Sequence, residues 1–521
     1  MNNQGSFSDI LDYIALSLLC FFAAGYSLFN RSFAQVHLQL PFFPFPVFIG
    51  EILLTVCFLL WIGKEIIQGF RFFRPPVSRR LMGVAIFGMF IFLKAFTGYL
   101  EHGSLALRNA ALFYYAFFAW LAASFYNKKF FNPRMNAILL FYLLTSLVIR
   151  PFHCYTYFMF SYIFLSLALM SRIRARKIRW SLVAFLLLFS PYLTIFNSSR
   201  ANILACVVGL GTFLILKLIQ NMVKIRPLRI IISGGVFLAV TVFFVQTFSR
   251  PEEVASVARV ESLVAQFKEA DRRIQERRAD YVMRDVPVQL YAKDHAVDFM
   301  NDDGPILETD TVVMLRKIKH EITTPEPEKS SVVSVPAPDS SSEAMTIPIS
   351  SASEIAAHVE EGGASGVEKE PFSNEPINNI LWRLLVWRDM LRDVTSAHPV
   401  VGMPFGKPFR SASIEILGWN KLELESVGWM EPHNSYVHIF YRAGWLGLGM
   451  IALLLWMVIR LTRGFVRSDD VTGFFLIAVL VYWLVVANFL VTLELPFFAI
   501  PFWSLLGLTW AYGKDVSSAR C

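Results

Sequence analysis

The chain has 521 residues, 55% of them hydrophobic and 15% aromatic, with a formal net charge of +8 and a mean hydropathy of +0.50. A composition this apolar excludes an ordinary soluble enzyme and points to a polytopic membrane protein. The basic residues fall between apolar segments, not on one face, which argues for membrane topology and against nucleic-acid binding. Cys20, Cys57, Cys154, Cys206 and Cys521 show no CxxC and no metal-ligand spacing, so they read as small packing residues.

In chain order, runs of about 17 to 25 apolar residues, long enough to cross a bilayer as a helix, lie near 11–29, 46–63, 81–99, 109–126, 135–149 and 153–171. Six more lie near 180–197, 201–219, 230–247, 434–459, 471–490 and 497–513. The N-terminus lacks the basic stretch of a cleavable signal, so the first run reads as a retained anchor. Alternate connections are basic: Lys64 to Arg80, Lys128 to Arg134, Arg172 to Arg179, Lys224 to Arg229, Arg460 to Arg467, and the tail with Lys514 and Arg520. The other short connections hold only Arg31, Arg108, Arg150 and Arg200. Basic loops resist translocation, so both termini are expected in the cytoplasm.

The expected fold is therefore all-α: a polytopic membrane bundle of about twelve transmembrane helices with a large extracytoplasmic loop between spans nine and ten. Residues 1–247 hold spans one to nine, 248–432 the loop, and 433–521 spans ten to twelve with a cytoplasmic tail. Within the loop, Val257, Val260, Val264, Phe267 and Ile274 repeat as on an amphipathic helix. Residues 321–371 are acidic, rich in Ser, Pro and Gly and without an aromatic residue, so they are expected to form a disordered tether. Order is expected to return with PINNILWRLLVWRDMLRDVTSAHP, where Leu381, Leu384, Leu385, Val386 and Leu391 support a helix ending before Pro399.

This topology gives each ionisable group a depth. Glu51, Lys94, Arg442 and Glu494 fall in the outer half or at its edge, near Arg108, Arg200 and His433. Charge in hydrocarbon is costly unless paired or wet, so the group predicts either ion pairs, such as Glu51 with Lys94 across two helices, or a hydrated hollow open to the outer face. Arg108 reads equally as a headgroup contact.

Three stretches carry chemistry: NSSRANILACVVGL from Asn197, RLLVWRDMLRDVTSAHPVVGMPFG from Arg383, and EPHNSYVHIFYRAGWLGLGM from Glu431. Together they resemble the Ser-Arg, exterior Arg-Trp-His-Pro-Gly and His-Asn segments of the O-antigen ligase and O-antigen polymerase superfamily, in that family's order and on one face of the expected topology. ALRNAALFYYAF and FIGEILL are similar to weaker features of the family, and the long tether departs from its usual compact loop. The resemblance implies transfer, outside the cytoplasm of a bacterial inner membrane, of a glycan carried on undecaprenyl pyrophosphate to an acceptor hydroxyl, on the lipid A core or on another glycan.

The residue types suit that reaction. Arg200 and Arg383, with Arg388 as a third, are candidates to bind the pyrophosphate, because a guanidinium is always charged and offers bidentate donors. His433 is the candidate general base. Glu431 is expected to orient the imidazole or bind a sugar hydroxyl, and Asn434 to bind a hydroxyl or cap the following turn. Pro432 is expected to begin the next helix, Trp387 to stack on a sugar or pack, and Gly444 and Gly447 to permit close helix packing. No cofactor and no metal are expected. Asp302 with Asp303 and Asp469 with Asp470 are poorly placed for exterior chemistry, and the donor is already activated by its lipid. Direct displacement would invert the anomeric centre. The alternatives are a polymerase of the same superfamily and, in another class, a non-catalytic lipid-glycan transporter.

Overall fold

The computed structural model describes residues 3–39, 45–69, 77–149, 157–173, 200–223, 256–278, 376–417 and 432–518. The expected spans near 180–197 and 230–247, the 321–371 tether, and Glu431 lie outside the described residues, as does the Arg200 side chain. By compactness the chain divides into 1–297 with 379–521, and 298–378; of the second unit only 376–378 are described.

The protein is mostly helical. In order the helices are α1 (Asn3–Ala34), α2 (Ile49–Ile67), α3 (Val77–His102), α4 (Ser104–Tyr114), α5 (Phe117–Phe125), α6 (Pro133–Ile149) and α7 (Tyr157–Met170). They continue with α8 (Arg200–Val223), α9 (Ser256–Arg278), α10 (Pro376–Ala397), α11 (Ala412–Leu417), α12 (Ser435–Ser468), α13 (Val471–Val486) and α14 (Pro496–Ser518). A two-residue antiparallel pair, β1 (His37–Leu38) and β2 (Val47–Phe48), turns the chain from α1 into α2.

Three described stretches are long and apolar enough to cross a membrane, Phe7–Phe29, Ala201–Met222 and Ser435–Ser468, and the bent pair α4 and α5 makes a fourth if counted as one span. The other expected spans among the described residues are shorter or less purely apolar. Val471–Val486 is a short apolar helix, and α2 interrupts its run with Glu51, Lys64 and Glu65.

Contacts set the directions of the helices within the first unit. Against α13, α8 runs antiparallel: Asn202 meets Tyr482, Phe213 stacks on Phe475 with ring centroids 4.2 Å apart, and Lys217 lies over Phe474. Likewise α7 places Phe158 on Trp483 and Ser171 on Thr472. Phe498, near the start of α14, packs on Trp483. The far end of the bundle is tied by Lys64 of α2, which donates to Asp12 of α1 and to the Ser124 carbonyl of α5. One end of the bundle thus collects the starts of α7, α8, α12 and α14, and the other collects Arg172, Lys217 and Asp469.

A second cluster of buried apolar residues joins α9, α10 and α11 to the first turns of α12. Leu381, Leu385, Val386, Met390 and Val394 are buried at helical spacing on α10, whose helix stops at Ala397 as the following proline requires. The register differs in detail from the expected one. Leu391 and Val264 face solvent, and Ala270 with Ile274 forms the buried face of α9.

Helix α12 is broken at Gly444, whose φ of 56° and ψ of −141° are not helical. The turn after α10 plugs the break: Trp445 N–H donates to the Pro399 carbonyl at 2.9 Å, Leu446 N–H to Val400 at 3.3 Å, and Met403 N–H to Tyr441 at 2.8 Å. A Cβ on Gly444 would collide with the Pro399 and Val400 carbonyls, and one on Gly402 with the Arg442 carbonyl. Gly447 packs against the Ile439 backbone and Ala443, so Gly444 and Gly447 both serve close backbone approach at the break in α12.

Candidate active site at the α12 N-terminus

Asn434, in extended conformation, is the N-cap of α12; its Oδ1 accepts from the Tyr436 and Val437 N–H groups at 2.9 and 3.1 Å. It satisfies two of the donors that every helix start leaves without an intrahelical partner. The helix therefore begins at Ser435, not at Pro432, and Asn434 is spent on the cap. The start is anchored further by Ser435, whose N–H donates to Ala487 O and whose Oγ donates to Leu490 O, and by Tyr436 Oη donating to Leu484 O. These contacts seat the α12 start at the C-terminal end of α13.

His433, immediately before the cap, holds φ at 47°; Asp469 is the other non-glycine residue with positive φ among the described residues. Such a backbone costs on the order of 1 kcal/mol or more and persists only where neighbours impose it. The neighbours belong to α10. Trp387 Nε1 donates to the Pro432 carbonyl at 2.5 Å, and the Trp382 ring lies 6.1 Å from the His433 ring. Trp387 is thus a brace for the turn through its N–H. Arg383, half-buried, precedes Trp387 by four residues and so shares its face of α10.

Arg388 turns the other way. Its guanidinium donates to Asp271 of α9 at 2.6 Å and to Ser413 of α11 at 2.7 Å and lies over the Phe267 ring. Asp389 beside it accepts from Ser411 Oγ, Ser413 N–H and Ser413 Oγ. Both residues hold α9, α10 and α11 together.

Arg200 is the first residue of α8. Two residues on, buried Asn202 Oδ1 accepts from Tyr482 Oη at 3.2 Å, one turn before the end of α13. Tyr436 reaches Leu484 on the same turn. The structure therefore brings the start of α8 and the His433 turn to one end of α13.

Next to this half-open turn is a closed ionic cluster. His438 Nδ1 stands 2.9 Å from Glu494 Oε2, and Arg108 Nε 3.7 Å from Glu494 Oε1. Arg442 Nε contacts His438 Nε2 at 3.3 Å, while its Nη1 donates to the carbonyls of Pro404 and Lys407. Burial works to raise the Glu494 carboxyl, but His438, Arg108 and Arg442 outweigh it and hold the carboxyl below the ordinary carboxylate range. Lys94 of α3 donates to the carbonyls of Val401, Gly402 and Arg442. Glu51 accepts from Tyr114 at 2.5 Å and from Tyr115 at 2.9 Å. The expected Glu51–Lys94 pair is therefore corrected: two tyrosines engage one oxygen of the carboxylate and three carbonyls take the ammonium.

No family model matches the chain, and comparison with curated proteins and solved structures gave no match. The site is read from its own geometry.

Among the described residues no three His, Cys, Asp or Glu side chains gather as a metal-holding group. The acidic pair Asp469–Asp470 lies at the opposite end of α13, with Asp469 3.8 Å from Lys217. His438 is the residue that motif reading passed over. The signal was present as a His and an Arg four apart in YVHIFYR, which share a helix face, but their partner Glu494 is distant in sequence.

Proposed function

We propose that this chain is a membrane glycosyltransferase of the O-antigen ligase and polymerase type, with twelve spans, both termini cytoplasmic and its site on the outer face of a bacterial inner membrane. The observation that carries the reading is the pair of contacts Asn202–Tyr482 and Tyr436–Leu484, which bring the start of the Arg200 helix and the His433 turn to the same end of α13. The lysines and arginines at the opposite end, among them Lys64, Lys129 and Arg172, agree with a cytoplasmic side there.

In this reading Arg383 and Arg200 neutralise the pyrophosphate of an undecaprenyl-pyrophosphate-linked glycan. The acceptor hydroxyl, on lipid A core or a growing glycan, attacks the anomeric carbon and gives its proton to His433. The bond to the pyrophosphate oxygen breaks with inversion, and the leaving group departs as the lipid pyrophosphate. The positive-φ turn, braced by Trp387, fixes the direction of the imidazole. Arg388, engaged by Asp271 and Ser413, positions α10.

The test is turnover by purified protein with lipid-linked glycan and each candidate acceptor. His433→Ala is expected to lower the rate by about 10²- to 10⁴-fold, the usual worth of a general base, and EDTA is expected to leave the rate unchanged. Movement of donor across the membrane with no new glycosidic bond would overturn the reading in favour of a transporter, and unchanged turnover in His433→Ala would remove the base.

A further inference from the structure

A separate cavity of about 260 Å³ lies between α1, α6, α7, α13 and α14. Its lining follows α13 from Trp483 to Thr472 and α14 from Pro501 to Tyr512, about 16 Å at the helical rise of 1.5 Å per residue. That depth is roughly half the ~30 Å hydrocarbon thickness of a bilayer, the reach of one leaflet. The walls are mostly Leu, Ala and aromatic side chains.

The polar features of this slot are graded along its length. At its α7 end, exposed Arg172 holds its guanidinium 4.7 Å over the Tyr512 ring. One turn into the slot is Thr509, and a further turn or more along is Ser504. The side-chain oxygens of both are buried with no hydrogen-bond partner among the described residues. The acids at that end of the bundle have other partners: Asp515 lies 3.3 Å from Lys128, Asp9 2.9 Å from Lys129 and Asp12 2.5 Å from Lys64. Asp470 accepts from the Gly473 N–H and also engages the Tyr512 hydroxyl that Arg172 contacts. A cation at the mouth, hydroxyl donors just inside and an apolar shaft beyond complement an anionic head, ester oxygens and a hydrocarbon chain in that order.

We infer that this slot holds one acyl chain of an anionic glycerophospholipid from the leaflet at the Arg172 end, with its phosphate on Arg172 and its ester oxygens accepting from Thr509. The inference rests on the bundle lying in a bilayer and is independent of glycan transfer.

The full-length protein, delipidated in detergent and titrated with phosphatidylglycerol or phosphatidylcholine, tests it by native mass spectrometry and thermal melting. Phosphatidylglycerol is expected to bind roughly tenfold more tightly than phosphatidylcholine, as one charge-assisted contact allows, and to raise the Tm. Arg172→Gln, an exposed substitution, should erase that difference. Leu505→Trp and Leu165→Trp, on two different walls, should each abolish retained lipid, so a folding failure in one leaves the other informative. Equal affinity for the two lipids, a preference that survives Arg172→Gln, or lipid retained in a folded slot-filled variant overturns the inference. Preferential retention of a polyprenyl phosphate overturns the assignment to a glycerophospholipid.

Discussion

Two polar clusters, at the turn before α12 and around its first turns, are built on opposite terms. At Arg442, His438 and Glu494 every group is buried and faces a partner of opposite or complementary character. At His433 the side chain is half-buried, the backbone is held at positive φ, and the neighbours are the aromatic braces Trp382 and Trp387. Low-dielectric burial makes a paired charge a structural tie, because removing one partner strands the other. Partial exposure with imposed strain is how a side chain is held ready for something outside the chain. The comparison marks the first cluster as architecture; the second is where the proposed function would put its chemistry.

Substitutions can break that division, and the largest stability effect belongs to Gly444. A side chain there meets the Pro399 and Val400 carbonyls at a φ of 56°, so Gly444→Ala is expected to cost several kcal/mol and to be visible as lost folded yield in detergent. Arg442→Met comes next. It strands the Pro404 and Lys407 carbonyls and weakens the compensation of Glu494, for an expected loss of about 3–5 kcal/mol read as a lowered Tm.

By contrast, His433→Ala should leave the Tm nearly unchanged while lowering turnover by about 10²- to 10⁴-fold. A large fall in Tm would move His433 into the structural class. Asn434→Ala tests the boundary between the clusters: loss of the cap is expected to cost about 1 kcal/mol, with turnover following the lowered stability. A loss of rate as deep as that of His433→Ala at unchanged Tm would return Asn434 to substrate binding.

The smallest effect is a pH dependence. The Glu494 carboxyl is held below its unfolded value, so its contribution is complete above that ordinary value and disappears as pH falls through the lower folded one. The wild-type Tm should therefore drop on acidification through the range below about pH 4.5 more steeply than that of Glu494→Gln. Parallel acid limbs would show that the carboxylate is not a tie.

Much of this was legible in local pattern. The helix ending at Ala397, the Asn434 cap and the close-packing glycines follow from proline geometry, side-chain reach and the absence of a Cβ, all of which act within a few residues. Partner choice was not legible. Glu51 and Lys94 were equally good candidates for each other, and only packing brought Tyr114 and Tyr115 to one and the Val401 to Gly402 carbonyls to the other. Helical spacing already turned Arg388 away from Arg383, but only α9 and α11 showed that Asp271 and Ser413 take its guanidinium.

The amino-acid sequence by itself determined that this is a helical chain with membrane-length apolar runs, and where α10 stops, because burial and backbone hydrogen bonding are local demands. The tertiary structure alone decided which charges are ties, that α12 breaks around the turn after α10, and that the helix beginning at Arg200 starts at the same end of α13 as the His433 turn. Those outcomes depend on groups tens to hundreds of residues apart competing for the same few unpaired carbonyls and carboxylates.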